Sequence, residues 1–296
     1  MFQHYKLKIY DDQLQDVNEL MDFLDKVPDD VKMIQLRVPE GACVYQCGAW
    51  NIVLASGKLD RIHFLREENK FWNIGYQQVQ KHKLKTVPSN QHHRMACFIG
   101  RKNMQRMAIM YWLTKQPYNV LLSSMQDDVH WIPDVDTKLW VDNIYAFEQW
   151  VKSFDIESLD QATVRDQYDG EFHTVQYNLL NYYHQFDVEL VAETYVRGLT
   201  FFPTEKTIRP IAGGKPILVY GPKNYLCNLK KQGYQTWHDI WDESYDKYEG
   251  IERWIRMQSQ ITQIHAWSDV EWQQNMQRAN VITEHNKQVF HDNNKN

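Results

Sequence analysis

The stretch "DVELVAETYVRGLTFFPTEKTIRPIAGGKPILVYGP", Asp187 to Pro222, decides the fold of this chain. Its first part, "DVELVAETYV", is a nearly continuous apolar run of strand length. "TEKTIRPIAGG" opens on a capping threonine, Thr204, after Pro203, and stops at Gly213 and Gly214. "KPILVYG" is a second short apolar run. Strand, helix and strand in that order predict a parallel pair joined by a crossover helix, with both faces of the sheet covered.

The same rhythm extends outward. Upstream, "MACFIG" reads as a strand. "RKNMQRMAIMYWLTKQ" follows it with Met104, Met107, Ala108, Tyr111 and Trp112 at helical spacing, and "NVLLSSM" is the next strand. Residues 126 to 185 resist ordering, apart from a helix expected around "VDNIYAFEQWVKSF". Downstream, "KNYLCNLKKQGYQT" reads as a helix ended by Gly233. Beyond Glu249 an apolar stripe of Ile251, Trp254, Ile255, Ile261 and Ile264 marks another helix, and "SDVE" at Ser268 to Glu271 is a capping-box pattern opening a last one. Before all this, "KLKIY", "KMIQLRV" and "RIHFL" read as strands, with Val17, Leu20, Met21 and Leu24 at helical spacing between the first two. "QKHKLKTVPSNQHHR", Gln80 to Arg94, is polar, basic and broken by proline, and is the expected linker. The fold class expected is α/β with two Rossmann-like domains: a reduced N-terminal domain over residues 1–88, a nucleotide-binding domain over 89–265, and a C-terminal helix and tail over 266–296.

With 296 residues the chain is long enough for two cores, and its 33 basic against 38 acidic residues, net -5, exclude a global basic field for nucleic acid or anionic membrane. Four scattered cysteines and the lack of an Asn-x-Ser/Thr acceptor suit a reducing compartment. No apolar run approaches the roughly 20 residues of a membrane span, and the N-terminus lacks a signal-peptide core, so a cytoplasmic location without a membrane span is expected.

Ligands of a doubly wound sheet lie beyond the carboxyl ends of its strands. The legible strands here end in "FIGRK", "LLSSM", "VAETY" and the "FFPTEK" approach, which makes Glu193 of "VAETY" a candidate. Thr204 as N-cap, with Glu205 and Lys206 in the first helical turn, combines free N–H groups, the helix dipole and a full positive charge. A phosphate or diphosphate is the natural guest there, and Glu205 is suited to the hydroxyls of a ribose. Gly213 and Gly214, just before a buried strand, permit close backbone approach. Taken alone, an acidic first turn beside a solvated lysine is ordinary helix construction; the combination with "RPIAGGKP" is what favours a site.

These residues carry a resemblance. "VAETYVRGLTFFPTEKTIRPIAGGKPILVYGP" resembles the donor-binding motif of fucosyltransferase-like glycosyltransferases of the GT-B fold. It is more similar still to a group of phage and bacterial glycosyltransferase-like proteins with "TEKT..PIA.GKP", a "GPxxYL" continuation and a downstream "DESYD", matched here by "GPKNYL" and by Asp242 to Asp246. The specific part spans residues 190 to 250. It implies that Glu205 contacts the nucleotide ribose while Lys206 and an upstream arginine, Arg101 or Arg106, neutralise the diphosphate. Such cations stabilise a departing diphosphate without a metal. By the same resemblance the acceptor base is a carboxylate after an N-terminal strand, which "RIHFLREENKFW" offers as Glu67 or Glu68; a retaining mechanism needs no such base.

Other constellations are weaker. Asp134 and Asp136 in "PDVD" follow no clear apolar strand. Cys43 and Cys47 lack a second ligand pair, and His92 and His93 lie in the linker, so no metal site is expected. The expected activity is transfer of a sugar from a nucleoside-diphosphate sugar, the donor substrate, with no further cofactor. The acceptor is a hydroxymethylated base of phage DNA, a glycan, a protein or a small molecule, and "QKHKLK" at 80 to 85 offers a local DNA phosphate contact. The alternative is a non-catalytic nucleotide-binding sensor or scaffold on the same fold.

Overall fold

A computed structural model describes residues 2–10, 13–38, 47–66, 71–100, 102–124, 141, 143–153, 175–193, 196 and 201–295. The chain forms two compact units, one of Met1–Lys70 with Tyr195–Phe202 and one of Phe71–Thr194 with Pro203–Asn296.

The first unit is built on a parallel sheet of β1 (Phe2–Lys6), β4 (Met33–Val38) and β5 (Ile62–Arg66) in that order. A short antiparallel ribbon, β2 (Ile9–Tyr10) with β3 (Gln13–Leu14), follows β1. The first parallel strand is therefore "FQHYK" rather than "KLKIY": Leu7 turns into the core and the following residues leave the sheet. Helices α1 (Val17–Lys26) and α2 (Ala49–Ala55) make the two crossovers. Of the apolar positions expected on α1, Leu20 and Leu24 are buried, whereas Val17 and Met21 lie at the solvent edge. Ile34, Leu36 and Val38 alternate inward along β4 and meet Leu20, Leu24, Ala49 and Val53 in one core. The end of α1 is closed from a distance: the Lys58 ammonium donates to the Leu24 and Val27 carbonyls, and Arg61 Nη1 donates to Val31 O at 3.0 Å.

The second unit carries a four-stranded, all-parallel sheet in the order β7 (Val120–Ser124), β6 (His93–Ile99), β8 (Phe186–Ala192), β9 (Ile217–Tyr220). Strand order steps one way from β6 to β7 and the other way from β8 to β9. Right-handed crossovers then put α4 (Met104–Lys115), between β6 and β7, on the opposite face from α6 (Glu205–Gly213), between β8 and β9. The sheet is doubly wound, with its switch point between β6 and β8. Two parallel-strand sheets with helical crossovers are compatible with a two-domain Rossmann-like architecture.

The α6 layer also holds α3 (Phe71–Lys81), the 3-10 helix Val175–Gln185 and α9 (Asp269–Asn294). The unit thus begins at Phe71, ahead of residue 88: α3 packs on α6, where a Cβ on Gly75 would lie 2.6 Å from both Ile208 Cγ2 and the Tyr177 hydroxyl. For the same reason the last helix is part of this unit, since Trp272, Met276, Ala279, Thr283, Asn286 and Phe290 bury one seam of α9. Its start has both halves of the capping box, Ser268 N donating to Glu271 Oε2 at 2.8 Å and Glu271 N to Ser268 Oγ at 3.3 Å. On the other face, α5 (Ile144–Lys152) sets Phe147 against Tyr111 of α4, and α8 (Gly250–His265) sets Trp254 against Trp112, ring centroids 5.3 and 5.5 Å apart. Along α8, Trp254, Ile261 and Ile264 are buried, while Ile255 of the expected stripe is exposed.

Gly213 ends α6 against the buried Tyr183 ring and Leu180 side chain, and a Cβ there would collide with the Tyr183 ring. That ring cannot yield, because its hydroxyl is held by Glu189 and Arg209. Gly213→Ala is expected to destabilise by about 1–3 kcal/mol from overpacking, exceeding the roughly 1 kcal/mol gained in helix propensity, as read by urea unfolding.

His265, at the end of α8, stacks on Tyr118 with centroids 4.2 Å apart. Burial, aided by the Arg94 charge, pushes its imidazole down to about 4. The unfolded chain takes up this proton near pH 6.5 and the folded chain only near 4, so stability falls as pH drops through that window. The melting temperature is expected to fall more steeply between those pH values in the wild type than in His265→Phe, measured by circular dichroism.

Candidate functional site

The switch point brings two helix N-termini to the carboxyl ends of β6 and β8. After β6 the chain reaches Asn103, whose Oδ1 accepts the Arg106 N–H at 3.0 Å and caps α4. This cap draws Arg106 into the first turn, where it is only 2% exposed. Beside β6, β7 ends in Ser123 and Ser124, both buried and in register with Phe98 and Ile99.

After β8 comes Glu193, fully buried. Its Oε1 accepts from Thr204 N at 3.1 Å, Thr207 Oγ1 at 2.6 Å and Tyr225 OH at 2.8 Å, and its Oε2 from Thr204 Oγ1 at 2.6 Å. One carboxylate thereby satisfies the start of α6, and Thr204 Oγ1 in turn accepts the Lys206 N–H at 3.3 Å. The Tyr225 phenol comes from α7 (Tyr225–Lys231), and burial next to Glu193 raises it well above its ordinary range.

Glu205 and Lys206 occupy the first turn of α6 at 8% and 5% exposure, joined by a very short ion pair between Lys206 Nζ and Glu205 Oε1. Burial pushes the Lys206 ammonium below the usual lysine range; Glu205 opposes the shift, Arg106 adds to it and Glu193 opposes it. The repulsion from Arg106 that adds to this lowering puts a second cation, from the other side of the switch point, within electrostatic reach of Lys206. Burial also raises the Tyr177 phenol, with Glu205 adding to the shift. The cluster therefore combines two cations, Glu205 paired with one of them, Glu193 bound to protein donors, and a capped helix N-terminus where a doubly wound sheet accepts ligands.

Thr204, Glu205, Lys206, Glu193 and Arg106 are thus brought together. Glu193 acts within the cluster as the cap and anchor of α6, with its oxygens turned to protein donors. Gly213 and Gly214 are not part of it: they lie at the far end of α6, roughly 12 Å along a helix rising 1.5 Å per residue, beside the amino end of β9. Their work is packing and termination, with Gly214 in the left-handed region at φ 68°. Arg101, Glu67, Glu68, Asp134 and Asp136 lie outside the described residues.

Behind the cluster, Arg209 of α6 forms a very short ion pair with Glu189 of β8. Tyr183 OH donates to Glu189 Oε2 at 2.5 Å and accepts from Arg209 Nε at 2.9 Å. Burial works against the Arg209 charge, and the adjacent Glu189 carboxylate outweighs it, holding the guanidinium above its ordinary range. Burial also pushes the neighbouring Cys97 thiol up to about 12, so it is an inert core group at neutral pH.

The "DESYD" segment is structural too. Asp246 accepts from Leu226 N at 3.0 Å and Cys227 N at 3.1 Å, capping α7, and pairs with Arg253 Nη2 at 3.1 Å. Glu243 accepts from Trp237 N at 2.7 Å and Thr236 Oγ1 at 2.6 Å. Arg253 also donates to Val219 O at 2.8 Å and Pro222 O at 3.1 Å, closing the end of β9. Sequence reading missed Tyr177, Asn103 and Arg253. The Asn103 cap alone left a sequence signal, an asparagine immediately before a helical apolar pattern.

Comparison of the chain with protein-family models, with curated proteins and with solved structures returned no match. Among the described residues no helix is long and apolar enough to cross a membrane.

Glu193→Gln replaces acceptor capacity with an amide N–H facing hydroxyl and backbone donors. It is expected to cost about 2–4 kcal/mol in urea unfolding, as for a buried charged hydrogen-bond centre, whereas Tyr225→Phe, which removes one donor, should cost roughly 1 kcal/mol.

Proposed function

We propose that the second unit binds a nucleoside-diphosphate sugar at the β6–β8 switch point and that the protein is a glycosyltransferase of GT-B-like fold class. The observation carrying this reading is the convergence of Lys206 and Arg106 beside Glu205 at the capped start of α6. In this reading the donor opens the Glu205–Lys206 pair. The diphosphate takes Glu205's place on the ammonium, and the freed carboxylate accepts from the ribose hydroxyls. The exchange suits the electrostatics, because an incoming dianion relieves the repulsion between Lys206 and Arg106 that helps depress the lysine.

Chemistry then follows from charge development. As the sugar–oxygen bond breaks, negative charge grows on the diphosphate, and two fixed cations and the positive end of the α6 dipole stabilise it more strongly than in the ground state. An acceptor hydroxyl attacks the anomeric carbon; for direct inversion its proton goes to a carboxylate, for which Glu67 and Glu68 are the candidates. A hydroxymethylated base in DNA is one acceptor in this scheme. The second reading is a non-catalytic nucleotide-binding sensor or scaffold, in which a nucleotide exchanges with the Glu205–Lys206 ion pair and no transfer follows.

The test is a thermal-shift series with UDP, GDP, CDP, ADP and their sugar conjugates on the wild type and on Glu205→Gln/Lys206→Met, which removes both charges together and so leaves no unpaired ion. One nucleotide should raise the wild-type melting temperature, corresponding to about 2.7 kcal/mol at a hundredfold excess over Kd, and leave the folded double variant unmoved. No shift for any nucleotide at millimolar concentration overturns the proposal. Donor hydrolysis without acceptor separates enzyme from sensor.

A further inference from the structure

A cavity of about 350 Å³ opens between the end of α3 and the 3-10 helix Val175–Gln185, and Lys81, His82, Lys83 and Lys85 contribute half of its lining residues. The others are amides and a tyrosine, with no carboxylate among them. In a chain of net charge -5 this is a local reversal of sign. Among the described residues none of the three lysines forms a salt bridge, and all three are solvent-exposed. Lys81, the last residue of α3, has a structural reason for its place, since a cation complements the helix C-terminus. Lys83 and Lys85 lie beyond the helix and have no such reason.

The basic segment is also held in shape. Asn181 Oδ1 accepts Lys85 N at 2.8 Å and meets His82 Nε2 at 3.1 Å, while Asn181 O accepts Val87 N at 3.2 Å. Gln185 Nε2 donates to Val87 O at 2.9 Å. Residues 82 to 87 are thereby pinned to the 3-10 helix at both ends, so binding there forfeits little backbone entropy.

We infer that this cavity is a phosphate-binding site, distinct from the Glu205–Lys206 cluster. Ammonium groups on flexible stems are point-charge partners for phosphate oxygens, and the volume falls in the range of small-ligand pockets, roughly 300–1,000 Å³. The concave shape and the net negative charge of the chain as a whole fit a compact phosphate ester or diphosphate; a nucleic-acid phosphate would supply the same chemistry. The inference stands independently of the donor-site reading.

The experiment is calorimetric titration of the full chain with pyrophosphate at constant low ionic strength, in the wild type, in Lys81→Ala/Lys83→Ala/Lys85→Ala, in Glu205→Gln/Lys206→Met, and in the two combined. Pyrophosphate should bind the Glu205/Lys206 variant, and its affinity there should fall about tenfold or more when the three lysine substitutions, which are exposed and spare the core, are added to that variant. Affinity left unchanged by that addition, or no binding in the Glu205/Lys206 variant, overturns the inference. The latter result with wild-type binding retained would assign the phosphate to the switch-point cluster instead. Competition by a short single-stranded oligodeoxynucleotide, itself lost in the triple variant, would identify nucleic acid as the source; lack of competition with pyrophosphate bound would identify a small molecule.

Discussion

Glu193 is the constraint on which the candidate site depends. A carboxylate buried at the carboxyl end of β8 is tolerable only with its oxygens satisfied, and the donors come from Thr204, Thr207 and Tyr225. Those requirements set the start of α6, and with it the position of Glu205 and Lys206 relative to the sheet. The helix is further locked by Arg209, which pairs with Glu189 of β8, four residues before Glu193. Two acids, one on β8 and one directly after it, thus hold the first and second turns of one helix.

The same economy recurs at β9. Arg253 gathers the Val219 and Pro222 carbonyls, while its partner Asp246 caps α7, which carries Tyr225 back to Glu193. Buried charge in this unit is therefore a chain of anchors running from α8 through α7 to α6. Much of the "GPKNYL" and "DESYD" signature belongs to this chain of anchors, so a sequence pattern that reads as a ligand motif is in large part the scaffold that holds a helix N-terminus in place.

The strands and helices of the second unit were legible because their signals are local: continuous apolar runs for buried parallel strands, helical spacing on α4 and α8, Gly213–Gly214 and Ser268–Glu271 at helix ends. Helix α3 was not. Gly75 lies in its middle and weakens the pattern, yet that missing side chain is what lets α3 approach Ile208 of α6. In the first unit, alternation in "KLKIY" mimics one strand, but Lys6 ends β1, Leu7 is consumed by the core, and Ile9 and Tyr10 pair instead in the β2–β3 ribbon.

Thr204 as a cap, with an acid and a base in the first turn after it, was determined by the sequence alone, since capping and dipole effects act within one turn. Only the tertiary structure decided that Arg106, about a hundred positions earlier, joins them, that Glu193 is an anchor, and that Gly213 and Gly214 stand at the opposite end of the sheet. The reason is topological. The reversal of strand order between β6 and β8 brings two distant helix starts to one crevice, while the length of α6 carries its glycines away from it.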